Sequence, residues 1–473
     1  MHDRFEPEAG WERRVDEAIA AGIRRGRLAA AAGRRKRRIR RVSLAGVCLL
    51  AAACLLSIRV SPAFASMLRE IPGLEKFVDW IGNSDPGIRL AVKNKFVQPL
   101  EAVDAHDGRA FAVQGVLADE MRMVVFYELR SDGADAALKL SNPRLTDDRG
   151  ADVKGMYVYF EDDQPRREHG RSVVRGTLDV WLQDGASWPD EVNLSIETAP
   201  VGSPAASGSA GDLPVPADRL SGENGLPDEN GEGGGPTYRV RFPIDKTKFA
   251  AEKKEYAIGR TVVADGQKIV FDRAVVTPLR IALYLDIPAG NAKQVFGAGD
   301  IRLVDEQGGQ WAYRGGWGET DHPVLYFDSN YFRRPKELYV EGSWFRALDK
   351  TKLDVVVDTE KKRLIRAPDD KLKLAAVDRT EDEVKLGFRL EGIARDDRMG
   401  YTLLLNRTFT DASGTEYEMA DVPNGTAASF SAADPSAQSV RYVLDNKAYR
   451  QPLTFRISDY PAYIRQPYRL RIY

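Results

Sequence analysis

"MRMVVFYELR" (121–130) decides how this chain is read. It is short, rich in β-branched and aromatic residues, and bounded by turn residues, which marks a β-strand. Two further runs share its character, "LRIALYLDI" (279–287) and "VKLGFRLEG" (384–392). Each heads a repeat. After Tyr127 comes Leu145-Thr146-Asp147-Asp148-Arg149-Gly150; after Tyr284 comes Leu303-Val304-Asp305-Glu306-Gln307-Gly308; after Phe388 comes Phe409-Thr410-Asp411-Ala412-Ser413-Gly414. Every copy reads as a strand, a connection, then a strand running into an Asp-x-x-Gly turn.

Each copy also ends in a strand pair. These are "VNLSIE" (192–197) with "YRVRFPI" (238–244), "LDVVVD" (353–358) with "RLIRA" (363–367), and "LTFRIS" (453–458) with "YRLRIY" (468–473). The fold expected is mainly β: tandem immunoglobulin-like sandwiches over 100–245, 246–366 and 367–473. One extended β-sheet assembly is the competing reading. Asp107-Gly108 and Asp265-Gly266 mark two-residue hairpins, since both central residues of a type I′ turn need φ > 0. The stretch 201–236 is rich in Gly, Pro and Ser and nearly free of large apolar residues, a composition of disorder. Its position between two closing strands makes it a hairpin insertion of the first sandwich rather than an interdomain linker.

The N-terminal part is different. Residues 1–41 hold 13 Lys/Arg and 6 Asp/Glu, while the whole chain has a net charge of −1. Arg34, Arg35, Lys36, Arg37, Arg38, Arg40 and Arg41 abut an uncharged run, Val42–Ile58. As a helix that run spans roughly 25 Å, near the lower limit for crossing a bilayer. Residues 42–60 are therefore read as one transmembrane helix, with 1–41 cytoplasmic and the remainder extracytoplasmic. The basic run then sets topology and contacts anionic lipid, in preference to nucleic acid. Ala63-Phe64-Ala65 supplies the alternative, a cleaved signal peptide. Trp11, Val15, Ile19 and Ile23 form one stripe of a helix, suited either to lipid or to the groove of a cytoplasmic protein. Residues 61–99 read as a membrane-proximal helical segment, broken at Pro72-Gly73 and Asp85-Pro86-Gly87.

No enzyme chemistry is expected. His2, His106, His169 and His322 are scattered, and both cysteines, Cys48 and Cys54, lie in the apolar run. That excludes a disulfide framework or a cysteine metal site beyond it. No phosphate loop, nucleophile elbow or dinucleotide fingerprint is present. Neither a cofactor nor a metal is expected. Acidic turns at Asp147-Asp148 with Asp152, Glu161-Asp162-Asp163 and Asp396-Asp397 are weighed as calcium sites and read as solvated. Trp80, Trp181, Trp188, Trp311, Trp317 and Trp344 suit sandwich cores or a carbohydrate platform, with the core preferred.

"RVSPAFASMLREIPGLEKFVDWIG" (59–82), "VLADEMRMVVFYEL" (116–129), "FPIDKTKF" (242–249) and "VVADGQKIVFDRAVVTPLRIALYL" (262–285) resemble a family of Gram-positive single-pass proteins. That family bears the domain of unknown function 4179. The resemblance implies an anti-sigma-factor-like layout: a cytoplasmic segment, one span, and an extracytoplasmic sensor of an unknown envelope ligand. It brings no catalytic residues. It makes a sigma factor the candidate partner of residues 1–41, although 41 residues are few for such a domain. A tethered or released envelope-binding sandwich without signalling is the alternative.

Overall fold

The computed structural model describes residues 85–473 apart from 107, 133–137, 162–165, 169–170, 183–185, 201–235, 251–252, 398, 400–402, 421–425 and 432–433. The stripe Trp11–Ile23, the basic run and the span at 42–60 lie outside the described residues. Among those described, no helix is long and apolar enough to cross a membrane. The one α-helix among them is Pro86–Lys93. The helical segment ends there: Gln98–His106 is already a strand. Its alternating exposure shows that Pro99 and Leu100 continue a sheet edge and not a helix.

The described strands form three pairs of antiparallel sheets. In the first pair, one sheet follows the order 98–106, 109–118, 122–132, 171–182, 155–161, with 166–168 also on 171–182. The other runs 138–146, 191–200, 237–243. The two meet through aromatic rings: Phe111 of the first sheet lies 6.1 Å from Tyr238 of the second. The strands flanking 201–236 pair directly, Glu197 opposite Thr237, so that stretch joins neighbours in one sheet.

Local turn chemistry repeats three times. Asp147, Asp305 and Asp411 each accept two backbone N–H groups through one carboxylate oxygen, from residues two and four further on. Gly150, Gly308 and Gly414 follow with φ of 83°, 79° and 80°, a left-handed conformation that side chains disfavour. The Asp265-Gly266 hairpin likewise has both residues at positive φ, 46° and 74°.

The closing strands are not distributed in chain order, which corrects the reading of the repeat. Asp354–Asp358 and Arg363–Arg366 belong to the third pair, where 354–358 lies against 453–459. The last strand, Tyr463–Arg471, returns to the second pair and lies against Leu338–Asp349, with Val340 opposite Leu470. Ile464, Tyr468 and Ile472 enter the second core, whereas Val355 and Val357 enter the third. The third pair is thus inserted between the last two strands of the second. At the first crossing, Asp349 leads into the 3-10 turn Lys350–Lys352. No residue there has the positive φ of a two-residue hairpin. The penultimate residue of strand 338–349, Leu348, already packs in the third core. Strands 354–358 and 453–459 are neighbours, so the chain leaves and rejoins the second pair at adjacent points.

Candidate functional site: a buried ionic junction

Asp85 begins the site. It caps helix 86–93, with Oδ1 accepting the Ile88 N–H at 3.0 Å and Pro86 in the first turn. Its second oxygen accepts from Arg122 Nη1 at 2.8 Å. Arg122 opens strand 122–132 and is buried. Its Nε and Nη2 hold Asp179 on the adjacent strand at 2.9 and 2.5 Å, and Nη1 also reaches the Leu279 carbonyl at 3.1 Å. One guanidinium therefore ties the helix cap, two strands of the first pair and a loop of the second pair. The fork geometry of arginine suits this.

Asp119 strengthens the joint. Its Oδ1 accepts from the N–H groups of Met121 and Arg122, and Oδ2 accepts from the Leu279 N–H at 2.7 Å. Burial raises its carboxyl above the ordinary range despite those bonds. Burial also opposes ionisation of Asp85, but Arg122 and the Ile88 N–H overcome it and hold that carboxyl low. Arg122 is desolvated as well, yet Asp179 and Asp85 keep it charged well above its usual range.

Next to Leu279, Arg280 lies between Trp181 of the first pair and Tyr326 of the second, 3.8 and 4.6 Å from their ring centroids. Burial, then the like charge of Arg122, lower its guanidinium to about 10. The helix touches the second pair too: a Cβ on Gly87 would stand 2.9 Å from the Ser329 backbone nitrogen, so only glycine fits. Phe96 follows the helix and packs on Phe249 and Phe332 at 5.2 and 5.7 Å.

These side chains are closed to solvent and offer no nucleophile–base pair. They can fix geometry. Removing one partner of such a buried pair strands the other's charge, at a cost of roughly 3–5 kcal/mol. The sequence signal was the form of strand 122–132 itself. Met123 to Tyr127 is an unbroken buried run, the mark of a sheet covered on both faces. Arg122 at its start and Asp179 on the adjacent strand are then buried charges.

The predicted site residues Trp11, Val15, Ile19, Ile23 and Arg34 to Arg41 lie outside the described residues. Among the described residues, no group of three or more His, Cys, Asp or Glu could hold a metal. In the acidic turns weighed for calcium, Asp152 faces Arg144, Asp396 faces Arg465, and Asp397 faces Arg346. Trp181, Trp188, Trp311 and Trp344 are all core residues, 1–8% exposed.

Among solved structures, the chain is similar to "The crystal structure of the conserved domain protein from Bacillus anthracis", at 13% identity and a TM-score of 0.33, over 57% of this chain and 84% of that one. No curated protein matches. Residues 253–373 match the family of unknown function DUF5643, a span that includes Leu279 and Arg280. Residues 34–131, which include Asp85, Asp119 and Arg122, match the domain of unknown function DUF4179, so the ionic junction joins residues of both matched spans.

Proposed function

We propose that the chain is a single-pass membrane regulatory protein of anti-sigma-factor-like layout, whose β-sheet region lies outside the membrane and senses or binds an envelope component. In this reading residues 42–60 span the bilayer, Arg34 to Arg41 contact anionic lipid on the cytoplasmic side, and the face Trp11, Val15, Ile19 and Ile23 docks a sigma factor. It assigns no catalysis and no cofactor. The observation that carries it is the joint. Helix 86–93 follows the apolar run by fewer than thirty residues, and it is fixed at Asp85 to the first pair of sheets and at Gly87 to the second. A shift between the two pairs must disturb the helix.

Strand order supports an immunoglobulin-like reading of the sheets. In the second pair, 267–276, 281–286, 324–327 and 313–317 follow the A-B-E-D order. Strands 463–471, 338–349 and 302–305 follow G-F-C. Such sandwiches commonly carry recognition on their loops.

The test is capture from membranes. The full-length chain should retain a sigma factor, and Trp11→Ala with Ile19→Ala should release it and raise transcription of its target genes at unchanged protein level. Unchanged transcription would refute signalling. The Ala63-Phe64-Ala65 triplet favours a second reading, an envelope-binding ectodomain released by cleavage and without signalling. Mature protein starting at Ser66 would establish it.

A further inference from the structure

The third pair of sheets carries a cleft of about 360 Å³, within the size range of small-molecule sites. Three elements build it: the turn after strand 354–358, strand 372–379, and the segment 447–451 before strand 453–459. Its floor is apolar, with Val377 and Tyr449 both buried. One wall is fixed by a reciprocal pair, in which the Thr359 N–H donates to Gln451 Oε1 at 2.8 Å and Gln451 Nε2 donates to Thr359 Oγ1 at 2.9 Å.

Three cations line it, Lys362, Arg379 and Lys447, against one acid, Glu360. Lys447 is neutralised by Asp445 at 2.7 Å. Among the described residues, Arg379 donates to the neutral amide of Asn446. Neither Arg379 nor Lys362 has a carboxylate within ion-pair distance among the described residues, whereas Arg366, Lys371, Lys385 and Arg389 nearby all do. Lys362 is held at φ 51° in the turn.

We propose that this cleft binds a small organic anion bearing a phosphate or carboxylate group, its body against Val377 and Tyr449 and its charge between Arg379 and Lys362. The guanidinium fork matches either group, and the ammonium adds a point charge. This rests on the reading that the β region binds an envelope component and names the chemical class of the ligand.

The experiment is calorimetric titration of the full-length chain in nonionic detergent with glycerol phosphate, succinate and inorganic phosphate. Its readout is independent of transcription, so its failure and that of the signalling reading are distinguishable. Glycerol phosphate, succinate or both should bind saturably, and added salt should weaken that binding. The exposed pair Lys362→Ala with Arg379→Ala should keep its melting temperature and lose affinity by about tenfold or more. Lys361→Ala, a neighbouring cation paired with Asp358, should bind like the parent. Binding of inorganic phosphate alone would mark a free-phosphate site without use of the apolar floor and would overturn the organic-anion assignment. No saturable binding, an unaffected double variant, or equal loss in Lys361→Ala would overturn the cleft itself.

Discussion

Replacing Tyr468 with Ala tests which core the last strand serves. The ring is 8% exposed, stacks on Phe345 at 5.2 Å and meets Phe271 at 5.3 Å. Truncating a buried aromatic costs about 3–5 kcal/mol. The hydroxyl is buried with no hydrogen-bond partner among the described residues, and removing an unsatisfied group returns about 1–3 kcal/mol. The net loss is then about 2 kcal/mol, or about one and a half decades in a local opening equilibrium. Hydrogen exchange followed by mass spectrometry reads this peptide by peptide. Faster exchange should appear in 267–286 and 338–349, because Phe271 and Phe345 lie there. Trp311 belongs to the same core and reports it by fluorescence, and the chain has no tryptophan after Trp344 to report the third core. Tyr468→Phe should match the parent or exceed it. If exchange instead rises in 372–390 and 404–410 while 338–349 stays protected, the last strand closes the third core and the insertion topology is refuted.

Arg122→Met should destabilise the chain by about 3–5 kcal/mol by stranding Asp179 and Asp85, with exchange in 86–93 accelerating most; protection of that helix as in the parent would contradict its anchoring role. Asp411 is held down to about 2 from an ordinary 3.8, by the Ser413 hydroxyl first. A depressed carboxyl stabilises the fold above its unfolded value, and that contribution is lost as pH falls from about 4 towards 2, so Asp411→Asn should flatten the acid limb of a melting-temperature profile. Gly299→Ala would place its Cβ 1.8 Å from the Trp344 ring, and displacing that indole should cost about 1–3 kcal/mol or more by chemical denaturation.

What could be read from the sequence was local. The Asp-x-x-Gly turns were legible because each Asp binds backbone within four residues of itself, and Asp265-Gly266 because its φ requirement is set by two residues alone. The closing strands were not legible. "LDVVVD" and "YRLRIY" both alternate correctly, and alternation says which face a residue takes but not which sheet the strand joins. The missing information was long-range: after Asp349 the next strand, 354–358, pairs with 453–459 and not with 338–349. Arg122 was hidden for another reason. Alternation assumes one wet face, and the sheet carrying Arg122 is covered on both, by its own partner sheet and by Val275, Ala282 and Tyr326 across the joint.

Charge at that joint restricts how it can move. An apolar contact loses energy gradually as it slides, since burial is non-directional and scales with area. Arg122 is held by directed bonds to Asp179, Asp85 and Leu279, and a partial slip leaves buried charges without water or partners. The intermediate geometries are the costly ones, so the joint is either closed or open to solvent. Helix 86–93 inherits this. Eight residues are too few to be stably helical alone, and its cap is the same Asp85 that Arg122 grips. Opening the joint removes both the cap's partner and the Ser329 backbone against which Gly87 rests. A ligand on the β-sheets need only favour one relative setting of the first two pairs for the helix to gain or lose its footing as a unit, by as much as its affinity differs between the two settings.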